Sequence, residues 1–283
     1  MDSSICHNRA TRRSFFGVLT ASAALPGLQV SLKATAPASL KLGVATYSLR
    51  KFSRAEAIQM IRQLGVTYVN VKEFHLPYKS TTKELAAGKE EFQRAGLVIV
   101  AGGVITLQRD DDADVRRYFE YAKTCGMPVI TIAPTHQVLP RIEKFVKEYN
   151  IKVAIHNHGV EDKNFPTPDV ALRAVKGMDP RMGLCIDLGY TVQCRVDPVK
   201  AIYEAGDRLF DLHIWDVKTA SPNGEVCPVG DGVSPVPAIF RALMRINYPG
   251  TVDLEYEIEP ENPLPGMMKS LAYMRGVLAG LAS

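Results

Sequence analysis

From residue 41 onward, short apolar runs alternate with longer stretches in which apolar side chains recur every three or four positions. The runs are LGVATYSL (42–49), YVNVKE (68–73), LVIVAGGV (97–104), VITIAP (129–134), KVAIHNH (152–158), GLCIDLG (183–189), FDLHIWD (210–216) and VDLEYE (252–257). Runs this short and this rich in branched residues predict strands, while the spacing of Ile58, Ile61 and Leu64 in SRAEAIQMIRQLG predicts an amphipathic helix. The later intervals repeat that helical spacing, several stop at Gly or Asn, and Pro198 and Pro235 sit where helices start. Strand-then-helix units of roughly 30 residues predict an α/β fold, the closed (β/α)8 TIM barrel, in a single domain over 37–283. An open doubly wound sheet is the rival, but no G-x-G-x-x-G follows the first run.

Side chains alternate across a strand, so parity assigns faces. In the last four runs one parity is apolar throughout: Val153 and Ile155, Leu184 and Ile186, Leu212 and Ile214, Val252 and Leu254. That face suits burial against helices. The opposite parity carries His156, Asp187, His213 and Glu255 near the C-terminal strand ends, where barrel enzymes place their chemistry. Two imidazoles and two carboxylates converging on one point predict a divalent cation, since unpaired buried charges are costly. This donor set suits manganese, iron, cobalt or zinc. A hydrogen-bonded cluster without metal is the alternative.

Other residues extend this expected site. His158 shares the face of His156 and is a candidate acid/base or sugar ligand. Glu73, ending the second run, is either an acid/base group or a structural ion pair. His75, Trp215 and Lys218 are candidates for substrate binding, through a loop contact, stacking on a sugar face and stabilisation of an enolate oxygen respectively. The bland readings are a solvated loop histidine, an aromatic closing the barrel mouth and a surface lysine.

The motifs AIHNHG, CIDLGY, DLHIWD and DLEYE, with the early GVATYSL and Glu73 in VKEFH, resemble the xylose isomerase-like TIM barrels of the sugar phosphate isomerase/epimerase group. The resemblance spans about residues 41–280. It implies one divalent metal, manganese first, with zinc, cobalt, iron or magnesium as alternatives. Asp187, His213 and Glu255 match the relatives' ligands, while His156 stands where many isomerases and epimerases carry a glutamate. A histidine-rich fifth strand is similar to inosose dehydratases and related keto-sugar lyases. The barrel's apurinic endonuclease relatives use a D-x-x-H motif, and here Tyr190 follows Asp187 in its place, so no nucleic-acid partner is expected.

The first 36 residues predict an export signal. TRRSFF, with Arg12 and Arg13, resembles the twin-arginine pattern, followed by a modest apolar stretch and small residues at Ala34-Thr35-Ala36. That stretch is interrupted by Pro26 and falls short of the roughly 20 residues that span a bilayer. The expected location is the periplasm, or otherwise outside the cytoplasm, with no transmembrane segment. Of the chain's formal net charge of +4, the leader carries +3 (Arg9, Arg12, Arg13 and Lys33 against Asp2), leaving about +1 and no basic tract for nucleic acid. The cysteines form no framework, although a Cys194–Cys227 disulfide is conceivable in an oxidising compartment.

The expected activity is proton abstraction next to the carbonyl of an unphosphorylated sugar, with the metal on the carbonyl oxygen and a neighbouring hydroxyl. Glu255 is the expected base, and His158 or Glu73 the acid. Return of the proton gives isomerisation or epimerisation, and loss of a β-substituent gives a lyase. A sugar-binding accessory subunit without turnover is a further alternative, and a homo-oligomer is conceivable.

Overall fold

A computed structural model describes residues 40–283. The expected leader, with Arg12 and Arg13, lies outside the described residues. Eight parallel strands close into a barrel: β1 (Lys41–Ala45), β2 (Tyr68–Val71), β3 (Val98–Leu107), β4 (Val129–Pro134), β5 (Lys152–His156), β6 (Met182–Asp187), β7 (Leu209–Ile214) and β10 (Thr251–Leu254), with β10 pairing back to β1. A two-stranded hairpin, β8 (Asp216–Val217) with β9 (Val226–Cys227), inserts between β7 and β10. The single-barrel expectation holds.

Local chemistry sets the helices. In α1 (Arg54–Leu64), Ser53 and Glu56 form a reciprocal capping box, and Gly65 ends the helix in the left-handed region at φ 64°. In α8 (Val236–Arg245) the buried residues Val236, Ile239, Phe240 and Leu243 make one apolar stripe against the barrel. The strand face predicted to meet the helices does so: Val153, Ile155, Ile186, Leu212, Ile214, Val252 and Leu254 are all fully buried, and Leu184 is within 1% of it.

Two departures from the predicted runs matter for the site. The first run stops at Ala45 and turns into a 3-10 segment, Thr46–Leu49, which brings Thr46 over the end of β2. The second run stops at Val71, so Lys72 and Glu73 belong to the strand's exit. A third departure concerns the thiols. Cys194 and Cys227 are both free, as are Cys125 and Cys185, so the conceivable disulfide is not formed. Among the described residues no helix is long and apolar enough to cross a membrane.

Candidate metal centre and cavity

The interior of the barrel changes character from bottom to top. Ala101, Val129, Ala154 and Cys185 pack together on the axis. Above them lies a polar layer in which Asp211 Oδ2 accepts from Asn70 Nδ2 at 2.7 Å and from Thr131 Oγ1 at 2.6 Å. The same oxygen lies 3.4 Å from His213 Nε2. This support fixes the imidazole with Nδ1 pointing up, and Nε2 carries the proton when Nδ1 ligates a cation.

His156 from β5, Asp187 from β6, His213 from β7 and Glu255 just beyond β10 come together at the top. One donor atom from each lies within 4.8 Å of all the others, and all four residues are buried. His156 Nε2 is 3.1 Å from His213 Nδ1 and 3.5 Å from Asp187 Oδ2, and His213 Nδ1 is 2.9 Å from Glu255 Oε2. Donors bound to one ion at about 2.1 Å stand about 3–3.5 Å apart, so these residues fit a single divalent cation. Without an ion the same residues form a cluster in which Lys72 and a protonated His213 balance two carboxylates.

Both Asp187 oxygens are held. Oδ1 accepts from the Tyr190 backbone N–H at 2.8 Å, and Oδ2 accepts from Trp215 Nε1 at 2.8 Å. Asn157, between the two histidines, faces away from the cluster and accepts from Asp187 N at 3.0 Å, locking the ends of β5 and β6 together. Glu255 divides its oxygens, Oε2 toward the cluster and Oε1 toward Lys72 Nζ at 2.9 Å.

The charges in this pocket predict how metal affinity varies with pH. Burial, followed by the Glu255 charge, pushes the Asp187 carboxyl up to about 7. Burial opposes charge on His213 too, but Cys185, Glu255 and Asp211 around it outweigh that and hold it protonated well above the ordinary range. Burial also pushes Glu255 up, yet His213 and Lys72 more than offset this and keep it ionised. Burial and the His213 charge lower His156 to about 3, so it binds no proton at neutral pH. A cation must displace one proton, from His213, above pH 7, and a second, from Asp187, below it. The apparent affinity is expected to rise with pH, by about tenfold per unit above pH 7 and by toward a hundredfold per unit below it. Metal titrations at a series of pH values measure the slope, and a flat profile contradicts this charge arrangement.

A cavity of about 270 Å³ opens over the cluster, walled by Lys72, His156, His158, Tyr190, Glu255 and Glu257, with Tyr47, Glu73, Phe74, Tyr78 and Val104 toward the rim. It is large enough for a monosaccharide. A larger cavity of about 540 Å³ lies at the opposite mouth, around Lys41, Lys152 and Phe210, but contains no cluster residue. The smaller one is at the C-terminal strand ends, where barrel chemistry resides.

The predicted residues divide between the cavity and its surroundings. His158 reaches the wall, its ring 4.3 Å from that of His156, and burial followed by the His156 charge lowers it to about 4. Glu73 is exposed at the rim of the same cavity. His75, Trp215 and Lys218 are outside its wall. His75 is fully buried rather than solvated, because a tight turn through His75 N to Lys72 O at 3.1 Å folds it under the loop. Trp215 is buried edge-on to Tyr190 and holds Asp187, so its face is covered. Lys218 rides on the β8–β9 hairpin, exposed, with Nζ donating to Asp231 O at 3.2 Å. The residues missed by sequence reasoning are Asn70 and Lys72, on the inward parity of β2, and Glu257, two beyond Glu255. Burial, then the Glu255 and Asp187 charges, raises the Glu257 carboxyl to about 7.

Comparison with known proteins supports the barrel fold and its family. An inosose dehydratase of Lactiplantibacillus plantarum is 23% identical over 201 residues, 63% of each chain, so this chain spans under two thirds of that enzyme's length. A crystal structure of an uncharacterized protein from Parabacteroides distasonis matches with 25% identity and a TM-score of 0.66, covering 84% of this chain and 99% of the other. The 3-keto-D-glucoside 4-epimerase of E. coli matches with 18% identity and a TM-score of 0.67, covering 84% and 99%, a likeness of fold. The family model for the xylose isomerase-like TIM barrel matches residues 55–277, and with the closed barrel and the four-residue cluster already in place, the chain belongs to that family.

Proposed function

We propose that the protein is a divalent-metal-dependent enzyme that isomerises or epimerises an unphosphorylated sugar or keto-sugar by removing a proton next to its carbonyl. The observation carrying this is a four-donor cluster, two of whose members, His156 and Glu255, line a sugar-sized cavity that also holds ionisable groups on its walls. A divalent ion, manganese first, supplies a Lewis acid for the carbonyl oxygen. Glu255, ionised and buried, accepts the proton. His158 and Glu73 present acid/base groups elsewhere on the cavity wall, where protonation of a second position requires one. The cavity excludes bulk water from the reacting carbon and orients the sugar hydroxyls on Tyr47, Tyr190 and Glu257. Its lining has a single lysine or arginine, Lys72, which is little positive charge for a phosphate dianion and argues against a phosphorylated substrate.

Elimination is the second reading. It is favoured by His156 in the place of a second glutamate and by the likeness to a dehydratase. The deciding experiment is incubation of the manganese-loaded protein in deuterium oxide with D-fructose, D-tagatose, a 3-keto-glucoside and an inosose, followed by NMR. Deuterium entering the substrate with no atoms lost supports the isomerase or epimerase. Release of water or an alcohol, leaving an unsaturated ketone, supports the lyase. Binding of sugars with neither outcome, across the divalent metals, supports a non-catalytic accessory subunit.

Export through residues 1–36 is part of the same reading, because phosphorylated sugars are mainly cytoplasmic. Replacing Arg12 and Arg13 together by lysine is expected to leave the protein in the cytoplasm, as cell fractionation would report. Unchanged periplasmic delivery would remove the twin-arginine reading.

A further inference from the structure

The exit of β2 carries one buried cation into the cavity wall. The Lys72 side chain is 6% exposed, and its Nζ lies 2.9 Å from Glu255 Oε1. Its backbone N–H donates to Thr46 Oγ1 at 2.9 Å, which fixes the main chain where it leaves the strand. The Tyr47 ring centre is 5.8 Å from Nζ, and among the described residues Glu255 is the one ion-pair partner of Lys72. An ammonium has three N–H donors, and a single carboxylate oxygen can take at most one. The remaining donors sit at the wall of a cavity that Tyr47, His156 and Glu255 also line. A buried charge with unfilled donors is costly unless an acceptor arrives. Neutralising Glu255 does not by itself require Lys72, because its other carboxylate oxygen belongs to the four-donor set that a divalent cation would share.

We infer that Lys72 is a catalytic residue: its ammonium donates a hydrogen bond to the substrate oxygen that gains negative charge as the neighbouring C–H bond breaks. The inference rests on the proton-abstraction reading above. In that step the proton passes to Glu255, the C–H electron pair forms the new carbon–carbon π bond, and the carbonyl π pair moves onto oxygen. Lys72 keeps its protons and contributes a preorganised donor. The placement also orients the substrate, because an oxygen within reach of Nζ brings its adjacent carbon beside the Glu255 carboxylate.

The test uses the manganese-loaded full-length protein and glycolohydroxamate, a planar anionic mimic of a deprotonated hydroxy-carbonyl, measured by calorimetry. Lys72→Met is expected to weaken the hydroxamate about 10–100-fold while binding manganese at least as tightly as the parent, and Lys72→Arg is expected to recover part of the loss. Hydroxamate affinity within about twofold of the parent in Lys72→Met overturns the inference. So does a parallel loss of manganese and hydroxamate, since Lys72 would then only hold Glu255 in place. If Lys72→Met does not fold, Lys72→Gln, polar but uncharged, is read by the same criteria. A parent protein that exchanges no deuterium into any sugar counts against the proposed reaction, whereas the hydroxamate affinities judge Lys72 itself.

Discussion

Alanine in place of His213 or Asp187 is expected to remove the bound metal: elemental analysis should give about one divalent ion per chain for the parent and almost none for either variant. Each substitution deletes a donor whose geometry the barrel has fixed, His213 through Asp211, Asp187 through Trp215 and the Tyr190 N–H. Loss of a supporting hydrogen bond alone costs about 10–100-fold in metal affinity. Loss of a ligand should exceed that range, and Trp215→Phe, which leaves Asp187 in place, should fall within it. Asp187→Ala also strands the buried Trp215 N–H, at about 1–3 kcal/mol of stability. Thermal melts should therefore separate folding loss from metal loss. Full occupancy in both alanine variants would mean that the ion sits elsewhere.

Glu255→Gln is expected to lower turnover by about 10²–10⁴-fold while keeping part of the metal. An amide oxygen still coordinates, but it cannot accept a proton, and the ion pair with Lys72 is lost. Metal content and deuterium exchange measured on the same preparation separate the two roles. Turnover within tenfold of the parent would transfer the base role to another group. His156→Glu is the companion variant. It installs the second carboxylate common among the isomerases, so it should hold metal while shifting or reducing activity, and the NMR products show toward which reaction.

The barrel was legible because its helix-facing strand parity is apolar without exception from β5 to β10, and burial admits only such residues there. The same alternation identified His156, Asp187, His213 and Glu255, which the structure gathers into one cluster. Applied to β2 it would also have found Lys72, since Asn70 and Lys72 alternate with the buried Val69 and Val71. Glu73, a more familiar acid/base residue, falls on the other parity with Val69 and Val71. Parity is silent once a strand ends. Trp215 keeps the inward phase of Asp211 and His213, but β7 stops at Ile214, and the chain turns the indole against the start of α6 (Leu188–Gln193). There it fills the space that a Cβ on Gly189 would need. The burial of His75 and the removal of Lys218 onto a hairpin likewise depend on loop hydrogen bonds that no periodicity announces.

The indole held by Asp187 gives the molecule an optical property. Trp215 is the chain's single tryptophan, so all indole emission comes from one ring, buried, edge-on to Tyr190, with its N–H on a carboxylate of the cluster. A cation held there would draw electron density from that carboxylate and weaken the hydrogen bond felt by the excited indole, and a paramagnetic one would quench it through a path only a few bonds long. The unlabelled protein thus carries its own fluorophore bonded to the cluster, and its emission is expected to change on metal addition without competition from any second tryptophan.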